Sequence, residues 1–295
     1  MTVPATQLRA GDYEATFRPD TAMLCTSLRY RGEEYVAWPR TITDFRAGKA
    51  TAIPLMHPYA NRLDGRRYDA CGAHVDLTAL ALPTDPNGLP IHGNLLGAPF
   101  EVLRADATRI AARLDYGAHA DKLAAFPFPH TVTVDASLDA RDGLRIATEV
   151  RPTADTPVPI SFGWHPYLRL PKGGRTRWEL RWPECDRIDV DARVLPTGTR
   201  THQAEERGPI GSRTYDDQYA LGTDRTFSVA AAGRTLTLHF DESYPFAQLF
   251  VPAGRQILAI EPMTAEIDAL GRGNTPSVAP GDTFAATFNL AVHVE

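Results

Sequence analysis

Cysteine is scarce in this chain. Its 295 residues include three, Cys25, Cys71 and Cys185, too few and too scattered for a disulfide framework or a zinc site. No apolar run exceeds the length of a strand, so no segment is suited to span a bilayer as a helix. Basic excess is missing too: the formal charge is -5, whereas nucleic-acid binders usually carry a basic stripe. There are no runs of like charge to suggest a tail. The opening "MTVPATQLRAGDYEATF" lacks the basic start and apolar stretch of a secretory signal. No Asn-x-Ser/Thr acceptor occurs anywhere. A soluble cytoplasmic protein is expected, with neither nucleic acid nor membrane as a partner.

Cofactor and nucleophile signatures are equally absent. The sequence has no Gly-x-Gly-x-x-Gly opening a helix, no P-loop and no His-Glu-x-x-His. It has no Gly-x-Ser-x-Gly elbow. Its nine histidines do not pair at metal-ligand spacings. An activity without cofactor or metal is expected.

What the chain has is alternation. In "TVTVDASLD", Val132, Val134, Ala136 and Leu138 point one way, and Thr131, Thr133, Asp135 and Ser137 the other. "RTLTLHF" repeats this with Leu236, Leu238 and Phe240. "FAATFNLAVH" does so with Phe284, Ala286, Phe288, Leu290 and Val292. Period two over such runs marks half-buried strands. Asp142-Gly143 and Gly233 stand between strand-like runs as hairpin turns. Glycine and proline, 22 and 24 residues, are spread throughout and leave little room for long helices; one or two helical turns are expected at "AEIDAL", 265 to 270. "LPTDPNGLP", 82 to 90, reads as a loop. With no linker-like shift and no repeat, residues 1–295 read as one all-β domain, a large antiparallel β-sandwich.

Five stretches carry polar groups suited to chemistry. "YANRL" supplies Asn61 and Arg62, "IHGN" His92 beside Gly93, and "WHPY" His165. "YDDQY" supplies Asp216 and Asp217, and "AIEPMT" Glu261 before Pro262. A neutral, hydroxyl-rich ligand calls for amide, guanidinium and carboxylate groups that form several hydrogen bonds. Acid–base work needs a carboxylate and an imidazole with separate protonation roles. Each stretch also has a plainer reading: a polar hairpin end, a turn histidine, a solvated pair of aspartates, a core histidine. Glu261 resists it most. In "QILAIEP" it shares a face with Ile257 and Ala259, and a carboxylate buried there unpaired costs on the order of several kcal/mol.

In this order and at these intervals the set resembles the aldose 1-epimerase (galactose mutarotase-like) family. Its members are large β-sandwiches with an early Asn-Arg, a His-Gly, a His-x-Tyr, an Asp in a Tyr-Asp loop and a late Glu-Pro. The resemblance runs from "PLMHPYANRLDGRRY" to "VAPGDTFAATFNLAV". It implies Glu261 as general base and His165 as general acid, with Asn61, Arg62, His92 and Asp216 binding sugar hydroxyls or the ring oxygen. Gln248 in "AQLFV" looks like the family's substrate-binding glutamine, and Asp217 is the alternative to Asp216 if the loop alignment slips by one. The family commonly has Asn-His-Thr-Tyr-Phe-Asn-Leu where this chain reads "WHPYLRL", so Trp164, Pro166 and Arg169 depart. Phe100 stands roughly where a tryptophan often follows the His-Gly. These departures keep the acid–base pair and leave the sugar open.

The implied reaction is anomer exchange. A base takes the proton of the anomeric hydroxyl while an acid protonates the ring oxygen, so the ring opens to an aldehyde. Rotation about C1–C2 and the reverse transfers close it on the other face. A free aldose is the expected substrate. The alternatives are a hexose 6-phosphate, for which Arg169 could serve the phosphate, and a non-catalytic carbohydrate-binding sandwich in which Glu261 and His165 are dispensable.

Overall fold

The period-two runs are strands. "TVTVDASLD" lies within His130–Asp139, whose residues alternate between buried and half-buried. "RTLTLHF" is Arg234–Phe240 and the last run is Phe284–Val294. Their inward residues, among them Val132, Leu238 and Phe288, join one apolar core. The structure, a computed structural model, describes residues 5–295; residues 1–4 of the expected 1–295 domain lie outside the described residues.

Turn chemistry closes the hairpins. His130–Asp139 pairs with Gly143–Pro152 around a loop at 140–142. Gly143 has φ +76, and a Cβ there would meet the Leu290 carbonyl oxygen at 2.3 Å, so glycine answers both conformation and space. The Asp139 carboxylate accepts from the N–H groups of Arg141 and Asp142. Ala232 and Gly233 both have positive φ, 51 and 70, as a two-residue hairpin turn requires.

A nine-stranded sheet and an eight-stranded sheet form the two layers, accompanied by one four-stranded and two two-stranded sheets. Rings lock the layers together: Trp164 meets Phe288 at 5.8 Å and Trp182 meets Tyr219 at 4.8 Å. The Trp164 indole N–H donates to Thr148 Oγ1 at 3.0 Å across the same interface. The fold is the large antiparallel β-sandwich that the alternation predicts.

Helix is confined to short pieces, Ile42–Arg46 and Ala120–Leu123 among them. The first is held by a Thr41–Asp44 capping box, a signal present in the sequence. The helical turns expected at 265–270 are corrected to a run of bends and turns. There the Ile267 N–H donates to Gln218 Oε1 and the Asp268 N–H to the Arg62 carbonyl, so contacts to other parts of the chain replace helical bonds. Asp268 itself has φ +61, which no right-handed helix accommodates. Among the described residues no helix is long and apolar enough to cross a membrane.

The eight-stranded sheet has two unlike faces. Trp164, Tyr219, Leu249 and Ile260 are in the core. By alternation Asp216, Gln218, Gln248, Phe250 and Glu261 occupy the opposite face.

Candidate active site

Gly163 pairs with Met263, and Tyr167 with Ala259. Both pairs keep one antiparallel register, which puts His165 opposite Glu261. On this side of the strand the Thr264 N–H donates to the Phe162 carbonyl at 3.0 Å. By the same parity, the two bonds that would flank the His165–Glu261 pair would be donated by Pro262 to the Trp164 carbonyl and by Pro166 to the Ile260 carbonyl, and neither proline has an N–H. The ladder is interrupted on both sides of the His165–Glu261 pair, leaving two short strands, Gly163–Trp164 and Tyr167–Leu168. Leu258–Met263 itself continues through Pro262, so Glu261 lies within a strand and not at its end.

Two rows of side chains cross the sheet. One is Gln218–Gln248–Glu261–His165, and the next is Asp216–Phe250–Ala259–Tyr167. Above them opens a cleft of about 590 Å³ lined by Asn61, Arg62, His92, His165, Asp216 and Glu261, with Arg40, Lys49, Asp85, Tyr167 and Phe250 around them.

Glu261 and His165 meet at the floor, Oε1 to Nε2 at 3.1 Å, with side chains 2% and 6% exposed. Burial raises the Glu261 carboxyl well above the usual range, and Asp216 adds to this while Arg62 opposes it. Burial lowers the His165 imidazole well below its usual value, helped by His92. Both desolvation effects disfavour a lone charge, so the pair holds one proton between its two groups. Glu261 Oε2 and His165 Nδ1 are buried and have no hydrogen-bond partner. The His165 ring lies among Tyr167, His92 and Phe250, while its neighbour Trp164 points into the core.

One wall is an ion network around Arg62. Its Nε donates to Asp85 Oδ2 at 2.9 Å, Nη1 to Asn61 Oδ1 at 2.9 Å and Nη2 to Asp216 Oδ2 at 3.1 Å. Burial alone would raise Asp85, but bonds from Arg62, Leu89 and Asn87 outweigh it and hold the carboxyl below its usual value. Asp216 Oδ1 also accepts from Gln248 Nε2 at 2.6 Å.

His92 is set by backbone geometry. It has φ +61, and its N–H donates to the Asn61 carbonyl at 3.0 Å. Gly93 follows at φ +72, where a Cβ would approach the His57 carbonyl oxygen to 2.1 Å; glycine at 93 is therefore a steric necessity. Burial lowers the His92 imidazole to about 3, with Arg62 contributing. Beneath, His57 Nε2 lies 2.7 Å from His130 Nε2, and His130 Nδ1 lies 2.5 Å from the Phe128 carbonyl oxygen. That carbonyl requires His130 to carry its proton on Nδ1, so His57 is the donor between the rings.

The structure thus gathers Asn61, Arg62, His92, His165, Asp216 and Glu261 around one cleft. Gln248 lies beside Glu261 in the same row, bonded to Asp216 and not among the lining residues. Asp217 pairs with Leu249 on the other face, which excludes it from the cleft. Arg169 is exposed and its Nε donates to the Glu34 carbonyl at 3.3 Å, so it does not reach the site. Phe100 is a core residue. Sequence reasoning missed Asp85, Tyr167, Arg40 and Lys49. "TDPNG" announces a turn at Asp85 and gives no sign of its partner 23 positions away.

A family model described as aldose 1-epimerase matches residues 25–291. Among solved structures, a galactose mutarotase-like protein from Clostridium acetobutylicum superposes with a TM-score of 0.86 at 18% identity, over 98% of this chain and 95% of that one. The GalM/aldose epimerase homologue from C. elegans gives 0.81 at 18% identity, over 99% of each chain. A galactose 1-epimerase from Lactobacillus acidophilus gives 0.77 at 13% identity, over 97% and 92%. Comparison with curated protein sequences returns no match. At such identities the solved structures speak for the fold, while the family model spans most of the sequence: the chain belongs to the aldose 1-epimerase family.

Proposed function

We propose that this protein is an aldose 1-epimerase, a single-domain cytoplasmic mutarotase that interconverts the α and β anomers of a free aldose. The carrying observation is the buried Glu261–His165 pair, 3.1 Å apart with one unpartnered atom on each side chain. With its proton on His165, the pair offers a carboxylate to the anomeric hydroxyl and an imidazolium to the ring oxygen. Each positioned proton-transfer group contributes roughly 10²–10⁴-fold. Asn61, Arg62, His92 and Asp216 bind sugar hydroxyls, and Gln248 orients Asp216 through its amide. No metal or nucleotide takes part in this scheme.

A second reading, epimerisation of a hexose 6-phosphate, is favoured by Arg40 and Lys49 on the cleft lining. Polarimetry or proton NMR with glucose, galactose, arabinose and glucose 6-phosphate tests both. Acceleration with a free aldose supports the first, acceleration confined to the phosphate supports the second, and none at all refutes both.

A further inference from the structure

The sheet face that carries Glu261 holds a second cavity. Phe246 alternates with Gln248 and Phe250 along Phe246–Val251, so its ring stands on that face. Beside it opens a space of about 510 Å³ that shares no lining residue with the Glu261–His165 cleft. Pro245, Ile267 and Pro276 give it apolar walls, and Arg200, Glu266 and Arg272 supply its charges. Glu266 Oε2 accepts from Arg200 Nη2 at 3.0 Å and its Oε1 from Arg272 Nη1 at 3.3 Å, so one carboxylate spans both guanidinium groups. Arg200 also lies over the Phe246 ring, 5.9 Å from its centroid. A guanidinium carries several N–H donors, and among the described residues each of these two spends one, on Glu266. Two arginines against one glutamate leave the cluster positive, in a chain of formal charge -5. Exposed ion pairs contribute little stability, so a staple is a poor account of this cluster. It consists of two prearranged forks with donors to spare at the wall of a cavity.

We propose that this cavity is a second binding site, separate from the Glu261–His165 cleft, for a small organic monocarboxylate. The carboxylate takes the open donors of Arg200 and Arg272, whose forks match its two oxygens. The body of the ligand lies along Pro245, Ile267 and Pro276. A single negative charge neutralises the cluster, whereas a dianion reverses its sign. The volume is in the range of small-molecule sites. Isothermal titration calorimetry on the whole protein tests this with three probes. Benzoate has the charge and the body, benzyl alcohol the body alone, and inorganic phosphate the charge alone. Benzoate should bind saturably and more tightly than phosphate, and benzyl alcohol should give no measurable binding. Arg200→Gln and Arg272→Gln should each weaken benzoate by roughly tenfold or more, the scale of a hydrogen bond to a charged group. Arg200→Lys keeps the charge, loses the fork and should also weaken it. Circular dichroism and the urea midpoint should match wild type in all three variants. Absence of benzoate binding overturns the proposal. So does benzoate binding that survives the arginine substitutions, which places it elsewhere on the protein. Phosphate binding as tight as that of benzoate, and lost in the same variants, overturns the monocarboxylate assignment. The measurement reads binding alone, so none of these results bears on the epimerase reading.

Discussion

His165 and Glu261 stand opposite each other in a single antiparallel register, 96 positions apart in sequence and 3.1 Å apart at Nε2 and Oε1. Their own side chains are the bridge at a place where two prolines withhold ladder bonds. That arrangement makes the pair a unit, and its members should fail as a unit.

Glu261→Gln keeps shape and hydrogen-bonding capacity but cannot accept the anomeric proton at neutral pH. His165→Asn keeps a donor and loses the acid. Each should lower kcat by roughly 10²–10⁴-fold, and the double variant should be little worse than the poorer single one. Near-normal mutarotation by a folded Glu261→Gln protein would place the base elsewhere.

The pH profile follows from the burial of both groups. Lowering of His165 delays the second protonation of the pair, and raising of Glu261 delays loss of its last proton. The one-proton state is thereby widened in both directions. Turnover should be flat through neutrality, with its acid limb below the ordinary histidine value of 6.5. A narrow bell centred on that value would contradict a shared, desolvated proton.

Arg62→Ala should damage stability as well as catalysis. It strands the Asp85 carboxylate, whose side chain is 1% exposed, and breaking a buried pair from one side costs about 3–5 kcal/mol. Adding Asp85→Asn should restore much of the urea midpoint and none of the kcat/KM. Joint recovery of both would mean that Arg62 serves only the fold. Asp85's pKa is depressed in the folded state, so its contribution is present above the unfolded value near 3.8 and is lost as pH falls through the folded value. Wild type should lose stability across that acid range more steeply than the Asp85→Asn variant.

Gly93→Ala tests how His92 is held. The added methyl meets the His57 backbone at a left-handed φ that itself costs about 1–2 kcal/mol. Lower thermal stability and reduced kcat/KM are expected together. A crystal structure of an active variant with His92 unmoved would show that the turn has slack.

The layers were legible because a strand's period of two survives in sequence wherever one face is wet. "TVTVDASLD" and "RTLTLHF" declare their faces residue by residue. Glu261 was legible because within its own stretch it shares a parity with the apolar Ile257 and Ala259, although the neighbouring strands bring Gln248, Gln218 and Asp216 to the same face. Asp85 was not, because its burial depends on where a loop folds back, and nothing local encodes Arg62 as its partner. Tyr167 passed as one more ring near a histidine, since stacking is a matter of ring planes and not of spacing. Arg169 misled in the opposite sense: its charge suggested a ligand, but it lies past the end of the short strand Tyr167–Leu168, where its N–H and its Nε donate to the carbonyls of Tyr35 and Glu34. The 265–270 segment reads as helix by composition, yet bonds from Ile267 to Gln218 and from Asp268 to Arg62 decide its shape.

The two unlike faces of the eight-stranded sheet limit how such a protein can drift. Deleting one residue within Leu258–Met263 would turn Glu261 toward the rings between the layers and present apolar side chains to the sugar. Chain length in these strands is thus frozen, because the same count of residues serves core and chemistry at once. The segments bearing Arg40 and Lys49, and the 82–90 loop with Asp85, obey no such count. A lineage changing its sugar would do so by lengthening or trimming those segments over an unaltered floor.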